Sequence, residues 1–443
     1  MSMAIVGWMI VALILSVLAG FHIAVAMALC SFIGIWLMFD NMQIALSMLG
    51  TSAFEAIRSP TFVVIPLFVL MGDFISQSGV ARDLFAVFDR LLSRVPGRLV
   101  TTTVLGNVLF GAVTGVSVAS AAVFSRIAYP EMRRFGYARS YALGSIVGSA
   151  CLGMLIPPSV LMIVWAVLTE LSVGALFLAG ILPGLLLASL FIAYGILRAV
   201  FDPNAAPDTV PLTAPAETVP AAPGTRALRG EMLGVAGVLT LIFVVIGSIW
   251  GGVATPTEAA AVGAVGALIL GVAKGMRGPE IRAAIASSAR TTAPILFLLV
   301  AATMYSRLIA MGGAINQIQD AILGLGGGAW VAVLLMAAIW IVMGTMVDSV
   351  SIILLTVPIF APVATGLGID PIAFAIFGII VIETGLLTPP FGLLVFAVRG
   401  SVPDRSVRMG EIFRGGAPYV GMLVVTAALV LIFPALATWM TGR

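Results

Sequence analysis

The sequence predicts an all-α polytopic membrane protein made of two inverted repeats, each with a re-entrant helical hairpin and a broken helix. Three observations carry that prediction: composition, an internal repeat and the placement of arginine. Of 443 residues, 61% are hydrophobic and 9% are charged, and the mean hydropathy is +1.18. An average soluble domain is about 25% charged, and a chain this apolar cannot clothe a water-soluble globule. About 20 apolar residues carry a helix across a bilayer, so there is room for many spans. The short alternating segments of a β-barrel do not dominate.

Residue counts exclude several functions. The single histidine, His22, rules out a multi-His metal site or a histidine-based triad. Cys30 and Cys151 lie inside apolar runs and suggest neither a disulfide framework nor a metal site. The net charge of +3 is small and spread over many loops, which signals topology and no nucleic-acid partner. No basic residue precedes the first apolar run, Met3 to Ala19. That run is therefore expected to be a retained span and not a signal peptide.

Displaced by 232 positions, the sequence matches itself. Ser117-Val118 falls on Ser349-Val350, Pro130 on Pro362 and Gly136 on Gly368. Gly153, Leu155, Pro157 and Pro158 fall on Gly385, Leu387, Pro389 and Pro390. A displacement of 234 puts Pro60 on Pro294 and Gly79 on Gly313. Matched Gly and Pro matter because they punctuate helices. The halves are 1–198 and 231–443. Residues 199–230 between them hold Pro203, Pro207, Pro211, Pro215, Pro220 and Pro223, a composition that reads as an exposed cytoplasmic linker.

Arginine placement orients the halves and sets the elements in order. Arg82, Arg90, Arg94 and Arg98 have no basic counterpart in the second half, nor do Arg126, Arg133, Arg134 and Arg139. The pattern then reverses. Lys274, Arg277, Arg282 and Arg290 face only Arg58, and Arg399, Arg405, Arg408 and Arg414 face nothing basic. Cytoplasmic loops carry the Lys/Arg excess, so equivalent loops lie on opposite sides, as in secondary transporters built from inverted repeats. Spans are expected near 3–19, 22–39 and 60–78, then a cytoplasmic connection over 80–98. Residues 101–130 begin and end at arginine clusters, so they form a hairpin that enters to about Gly115 and returns. Residues 140–167 and 172–197 cross. In the second half, spans at 232–251, 256–273 and 291–311 precede a hairpin at 331–360 and crossings at 372–398 and 416–438. Both termini are expected to be periplasmic. Trp8, Trp36, Trp250, Trp340 and Trp439 fall near span ends, as in an aromatic belt. Thr255-Pro-Thr-Glu258 reads as a capping box, and Ser59-Pro60 as another helix start.

Candidate chemistry sits at the two tips and the two breaks. The tips, Gly111 to Ser120 and Gly344 to Ser351, are rich in small and hydroxylated residues. Their oxygens suit Na⁺, or their small side chains serve close helix packing. Gly153-Met-Leu-Ile-Pro-Pro158 and Gly385-Leu-Leu-Thr-Pro-Pro390 each interrupt a run long enough to span. These are either plain kinks or broken helices that turn their half-helix ends on an ion and an anion. Ser149 and Thr384 precede the breaks. Asp348 and Glu383 are intramembrane carboxylates that either bind a cation or carry a proton; their first-half equivalents are Val116 and Cys151. Asp73 and Arg307 are equivalent and read as a structural pair, or as side chains that snorkel at span ends. His22 reads as interfacial.

These features resemble the large membrane subunit of the tripartite ATP-independent periplasmic (TRAP) transporters. Specific echoes are Pro66-Leu-Phe-Val-Leu-Met-Gly72, Gly153-Met-Leu-Ile-Pro-Pro-Ser159 and Ala254-Thr-Pro-Thr-Glu-Ala-Ala-Ala261. The likeness covers nearly the whole chain outside the linker. It implies an elevator-type fold of the divalent-anion/Na⁺ symporter kind in a bacterial inner membrane. It also implies Na⁺ as coupling ion, a small four-helix membrane subunit and a periplasmic substrate-binding protein as partners. The substrate would be a small organic anion such as a C4-dicarboxylate, sialic acid or keto acid. By position, Gly115, Ser117, Ser149 and Gly153 would form one Na⁺ site, and Ser349, Ser351, Thr384 and Gly385 the second. Substrate would lie between the tips, near Thr114, Ser120, Pro157, Pro158, Asp348, Thr388, Pro389 and Pro390. The alternative is a stand-alone proton- or Na⁺-coupled dicarboxylate carrier that needs no binding protein. An intramembrane enzyme is not expected: there is no HExxH and no GxGD.

Overall fold

In a bilayer every backbone polar group must be satisfied within the chain, which leaves helix as the outcome for long apolar runs. The computed structural model describes residues 2–58, 61–207, 225–324 and 328–442, and among these there is helix and no strand. The Ser59-Pro60 start and residues 208–224 of the linker lie outside the described residues.

The first half contains α1 (Ser2–Leu18), α2 (Ile23–Phe39), α3 (Met42–Arg58), α4 (Thr61–Gln77) and α5 (Val80–Leu91). A hairpin follows, α6 (Arg98–Thr114) and α7 (Ser117–Arg134), then α8 (Arg139–Ala150), α9 (Leu152–Leu155), α10 (Val160–Thr169) and α11 (Val173–Phe201). The second half runs α12 (Thr225–Trp250), α13 (Pro256–Ala273), α14 (Gly278–Met311) and α15 (Ala314–Gly324). A second hairpin, α16 (Gly328–Gly344) and α17 (Ser349–Gly366), precedes α18 (Pro371–Leu387), α19 (Leu393–Ser401), α20 (Met409–Ile432) and α21 (Ala435–Thr438).

The helices sort into two packed groups, each drawing on both halves of the chain. In one, α4 packs on α13 and α14, and α2 packs on α14. In the other, α8 and α18 both pack on α20, and each hairpin packs on its own broken helix. Seven stretches of the described residues are long and apolar enough to cross a bilayer. Helix α13 shows the polarity expected there: Ala259, Ala260, Gly263, Ala264 and Ala267 face inward, while Val262, Val265 and Ile269 face out. Small residues inside let helices approach closely, and large apolar ones outside meet lipid. Helix α18, apolar all round except at Glu383 and Thr384, is buried from Ile372 to Leu387.

Several elements depart from the sequence reading. Helix α14 is one helix of 34 residues, far longer than the expected 291–311 span. Residues 42–58, outside every expected span, form the amphipathic helix α3; the connection expected over 80–98 contains the amphipathic helix α5, which turns 63° away from α4. Helix α12 begins at Thr225, so the helix extends into the segment read as linker. Trp340 is no belt residue. It is fully buried, stacks near Trp165, Phe360, Phe374 and Phe377, and donates from Nε1 to Thr356 Oγ1 at 2.7 Å. The buried NH is satisfied there, so the indole needs no interface. Asp73 and Arg307 do not pair. Asp73 accepts from Ser287 Oγ at 3.1 Å, and Arg307 bonds Glu55 on α3. The capping box is present: Thr255 N donates to Glu258 Oε2 at 2.8 Å, and Glu258 N to Thr255 Oγ1 at 3.3 Å.

The basic clusters interlock across the halves. Lys274 Nζ lies 2.5 Å from Asp83 Oδ2 and donates to Gly230 O at 2.9 Å. Arg90 pairs with Glu231. Arg139 lies 3.5 Å from Asp404. Asp404 also accepts from the Ser406 hydroxyl and amide, and these bonds hold its carboxyl below the ordinary range.

Candidate functional site

The first tip is built by glycine. Helix α6 stops where Gly115 takes φ +63°, a conformation only glycine adopts without strain. A Cβ there would also lie 2.8 Å from Pro158 O. The tip thus docks into the break between α9 and α10, where Val160 N donates to Gly115 O at 3.4 Å. Ser159 organises the break: its Oγ donates to Met154 O at 2.5 Å and accepts from Met162 N at 3.5 Å. One turn away Gly111 meets Gly153 back to back, and a Cβ on Gly111 would lie 2.5 Å from Gly153 Cα. Gly344 and Gly385 repeat that contact at 2.8 Å in the second half, where Gly392 N donates to Thr345 O at 3.1 Å. Both Pro-Pro bonds, Pro157-Pro158 and Pro389-Pro390, are cis.

The two tips meet across a cavity of about 470 Å³. Ser117, Asp348, Ser349 and Ser351 line it, with Val116, Val118 and Val350. Phe21, His22 and the Thr291–Leu298 stretch of α14 close the other side. Among the described residues no Arg or Lys lines this cavity, and His22 and Asp348 are the ionisable groups in its wall. His22, read as interfacial, is thus a wall residue. The N-terminus of α7 enters the cavity with no side-chain cap, whereas Asp348 caps α17 by accepting from Ser351 N at 3.0 Å. An anion is therefore favoured at the α7 amides. At α17 the Asp348 carboxylate already fills that role and would repel an anion.

Other expected site residues stand outside the cavity wall. Ser149 lies below the tip, donating to Ser145 O at 2.5 Å and accepting from Asn107 Nδ2 at 2.7 Å. Thr384 and Thr388 bond back into their own helix, at 2.7 Å to Ile380 O and 2.8 Å to Thr384 O. Thr114 bonds Phe110 O at 2.9 Å, and its backbone packs against Gly72 of α4. Ser120 is buried beside Gly153. Pro157 and Pro158 are buried behind the first tip, whereas Pro389 and Pro390 are exposed, so the two breaks are not equivalent.

Glu383 stands at the centre. It is 1% exposed, and its Oε1 accepts from Ser349 Oγ at 2.8 Å. The Ser117 hydroxyl and the Cys151 thiol lie beside the same carboxylate. Glu383 Oε2, Ser117 Oγ, Ser120 Oγ and Asn107 Oδ1 are all buried without a hydrogen-bond partner. Such groups are costly unless something satisfies them. No cluster of three or more His, Cys, Asp and Glu occurs among the described residues. The orphaned atoms are instead hard oxygens, which fit Na⁺. Asn107 was missed in the sequence because a lone amide in an apolar run carries no signal of its partner.

This is a multi-pass membrane protein with a central cavity between two hairpin tips. Residues 6–436 match the family described as "Tripartite ATP-independent periplasmic transporter, DctM component". The chain belongs to that family: it is the large permease component of a TRAP transporter, not an enzyme. It is 33% identical over 393 residues, 88% of each chain, to the C4-dicarboxylate TRAP transporter large permease protein DctM of Pseudomonas aeruginosa. It is 28% identical, over 98% of each chain, to the ectoine TRAP transporter large permease protein TeaC of Halomonas elongata. Its fold resembles the crystal structure of the Alcanivorax borkumensis YdaH transporter, with a TM-score of 0.63 at 17% identity, covering 89% of each chain.

Proposed function

We propose that this permease imports a small organic anion, a carboxylate, by an elevator movement coupled to Na⁺. In this reading 1–198 and 231–443 are inverted repeats joined by a cytoplasmic linker, and both termini are periplasmic in a bacterial inner membrane. The group holding the hairpins and broken helices is the moving part, and the group holding α2, α4, α13 and α14 is the scaffold. A periplasmic binding protein delivers the substrate, and a small four-helix subunit braces the scaffold.

The observation that carries this reading is the meeting of the two tips, one from each half, over buried oxygens that lack partners. Ser117, Ser349 and Glu383, with carbonyls of the tips, would hold Na⁺. Bound there, it would supply the positive charge that the cavity wall otherwise lacks. The uncapped α7 amides orient the carboxylate, and the apolar wall of Val116, Val118 and Val350 excludes water around it. The interlocking of basic segments, Arg139 with Asp404 and Lys274 with Asp83, supports a shared cytoplasmic face for both halves. The cavity is walled by Phe21, His22 and Thr291, which lie on that face in the arginine-derived topology, so this conformation faces the cytoplasm.

Uptake into proteoliposomes tests the reading, with the small subunit present and the binding protein added or withheld. Accumulation of a labelled carboxylate that needs both a Na⁺ gradient and the binding protein is the expected result. Uptake without the binding protein, driven by a pH gradient alone, would replace it with the stand-alone carrier.

A further inference from the structure

A second cavity, of about 430 Å³, shares no residue with the one between the tips. Its volume falls in the range of about 300–1,000 Å³ found for small-molecule sites. Its walls are the end of α10, the returning arm α17 of the second hairpin and the start of α18, closed by Ser306 of α14. Both packed groups therefore contribute to it. The wall is graded in polarity. Glu170, exposed at the end of α10, stands at the rim, and Thr365 lies in the last turn of α17. Further in are Trp165, Val357 and Phe374. Trp165 precedes Glu170 by five positions, about 7 Å along the helix. Among the described residues no Arg, Lys or His lines the cavity, so Glu170 is its one charge. Glu170 holds a left-handed backbone, φ +56°, which is strained for a glutamate. Trp165 is fully buried, and its Nε1–H has no acceptor. A buried donor left unpaired is costly.

In the topology proposed above, the ends of α10 and α17 lie at the periplasmic face, where the apolar interior of the bilayer gives way to headgroups. From rim to depth the cavity thus offers a carboxylate, an N–H donor and an apolar wall. A phospholipid with a primary ammonium presents the matching order: ammonium, ester oxygens, acyl chain. We propose that this cavity binds phosphatidylethanolamine, with its ammonium on Glu170, an ester carbonyl on Trp165 Nε1 and an acyl chain between α10, α17 and α18. A choline head has no N–H to donate to Glu170, and a glycerol head has no cation to place there. A lipid that touches α14 and α17 together ties the two packed groups in this conformation; that consequence, unlike the binding, rests on the elevator reading.

The test uses the full chain with its small subunit, purified in detergent and stripped of lipid. Thermal unfolding is followed against phosphatidylethanolamine, phosphatidylcholine and phosphatidylglycerol of matched chains, and against dodecylamine. These curves need neither Na⁺ nor substrate, so they stand apart from the transport reading. Phosphatidylethanolamine is expected to raise the melting temperature saturably and the other two lipids to fall short of it. In Glu170→Gln the lipid concentration giving half the shift should rise about threefold or more, as for loss of a partly exposed ion pair. Ala361→Phe, which puts a ring into the cavity from α17, should abolish the saturable shift. Asp320→Asn, at an exposed carboxylate outside the wall, should leave it unchanged. Equal shifts from phosphatidylethanolamine and phosphatidylglycerol would overturn the proposal, as would a wild-type response in both Glu170→Gln and Ala361→Phe. A shift with dodecylamine and none with phosphatidylethanolamine would overturn the lipid as occupant. Should Ala361→Phe fail to fold, Glu170→Gln and the headgroup comparison decide. In proteoliposomes, uptake should slow as phosphatidylethanolamine replaces phosphatidylcholine, and less so in Glu170→Gln; equal slowing in both would overturn the tie between the groups.

Discussion

Replacing Gly115 by alanine tests whether the first tip must dock in the α9–α10 break for transport to occur. Two costs add. A left-handed backbone costs a non-glycine residue about 1–2 kcal/mol. The new Cβ would lie 2.8 Å from Pro158 O and 3.4 Å from Val160 N, both backbone atoms that cannot rotate aside. Overpacking of that kind typically costs about 1–3 kcal/mol. The docked tip should therefore lose about 2–5 kcal/mol, or at least about thirtyfold in population at a tenfold change per 1.4 kcal/mol. Gly247→Ala is the control, since a Cβ there meets nothing within 4 Å. Initial uptake rates in proteoliposomes, beside detergent melting curves, provide the assay. Gly115→Ala should fall by an order of magnitude or more in uptake, while Gly247→Ala keeps the wild-type rate. Wild-type uptake by Gly115→Ala would refute the docking requirement.

Three further outcomes follow from the packing and the ion pairs. Lys274→Ala leaves Asp83 buried beside α12 without its cation, and breaking such a pair typically costs about 3–5 kcal/mol. The melting temperature should drop sharply, and Asp83→Asn in the same chain should restore part of it; no drop would mean the pair is solvated. Trp340→Ala removes the hub of the aromatic cluster and the bond to Thr356, with an expected loss of about 3–5 kcal/mol, checked by the same melting curves against an unaffected Trp439→Ala. The Asp404 carboxyl is held below its ordinary range by Ser406. Its contribution is therefore complete above the unfolded pKa and lost as pH falls through the lower folded one. Wild-type stability should fall on acidification through that window, and Asp404→Asn should flatten this part of the profile. Identical pH profiles for the two would rule out the contribution.

Much of the architecture was legible because it is written locally. The first hairpin turn at Gly115, both Pro-Pro breaks and the capping box are marked by Gly, Pro and Thr-x-x-Glu at single positions. The amphipathic helices α3 and α5 were less legible. Their mixed composition reads equally as loop; in the structure α3 packs on α2 and α14, and α5 on α6 and α12. Ser117, Ser349, Ser351 and Asp348 were picked out as site residues and do line the cavity. Ser149, Thr384 and Thr388 were picked out by the same logic and lie outside the cavity wall, each donating its hydroxyl to a carbonyl of its own helix. A hydroxyl near a break signals an available oxygen but not the direction in which it points.

The sequence by itself determined the two Pro-Pro breaks and the capped start of α13, because those events depend on backbone conformation over a few residues. It also determined that the chain belongs in a bilayer, because hydropathy is additive along it. Tertiary structure alone decided that Trp340 is a core residue, that Lys274 belongs to Asp83, and that Ser349 bonds Glu383. Each of these is a meeting of side chains far apart in sequence. Which side chains meet depends on the rotation and crossing of whole helices, and no short pattern in the chain encodes that.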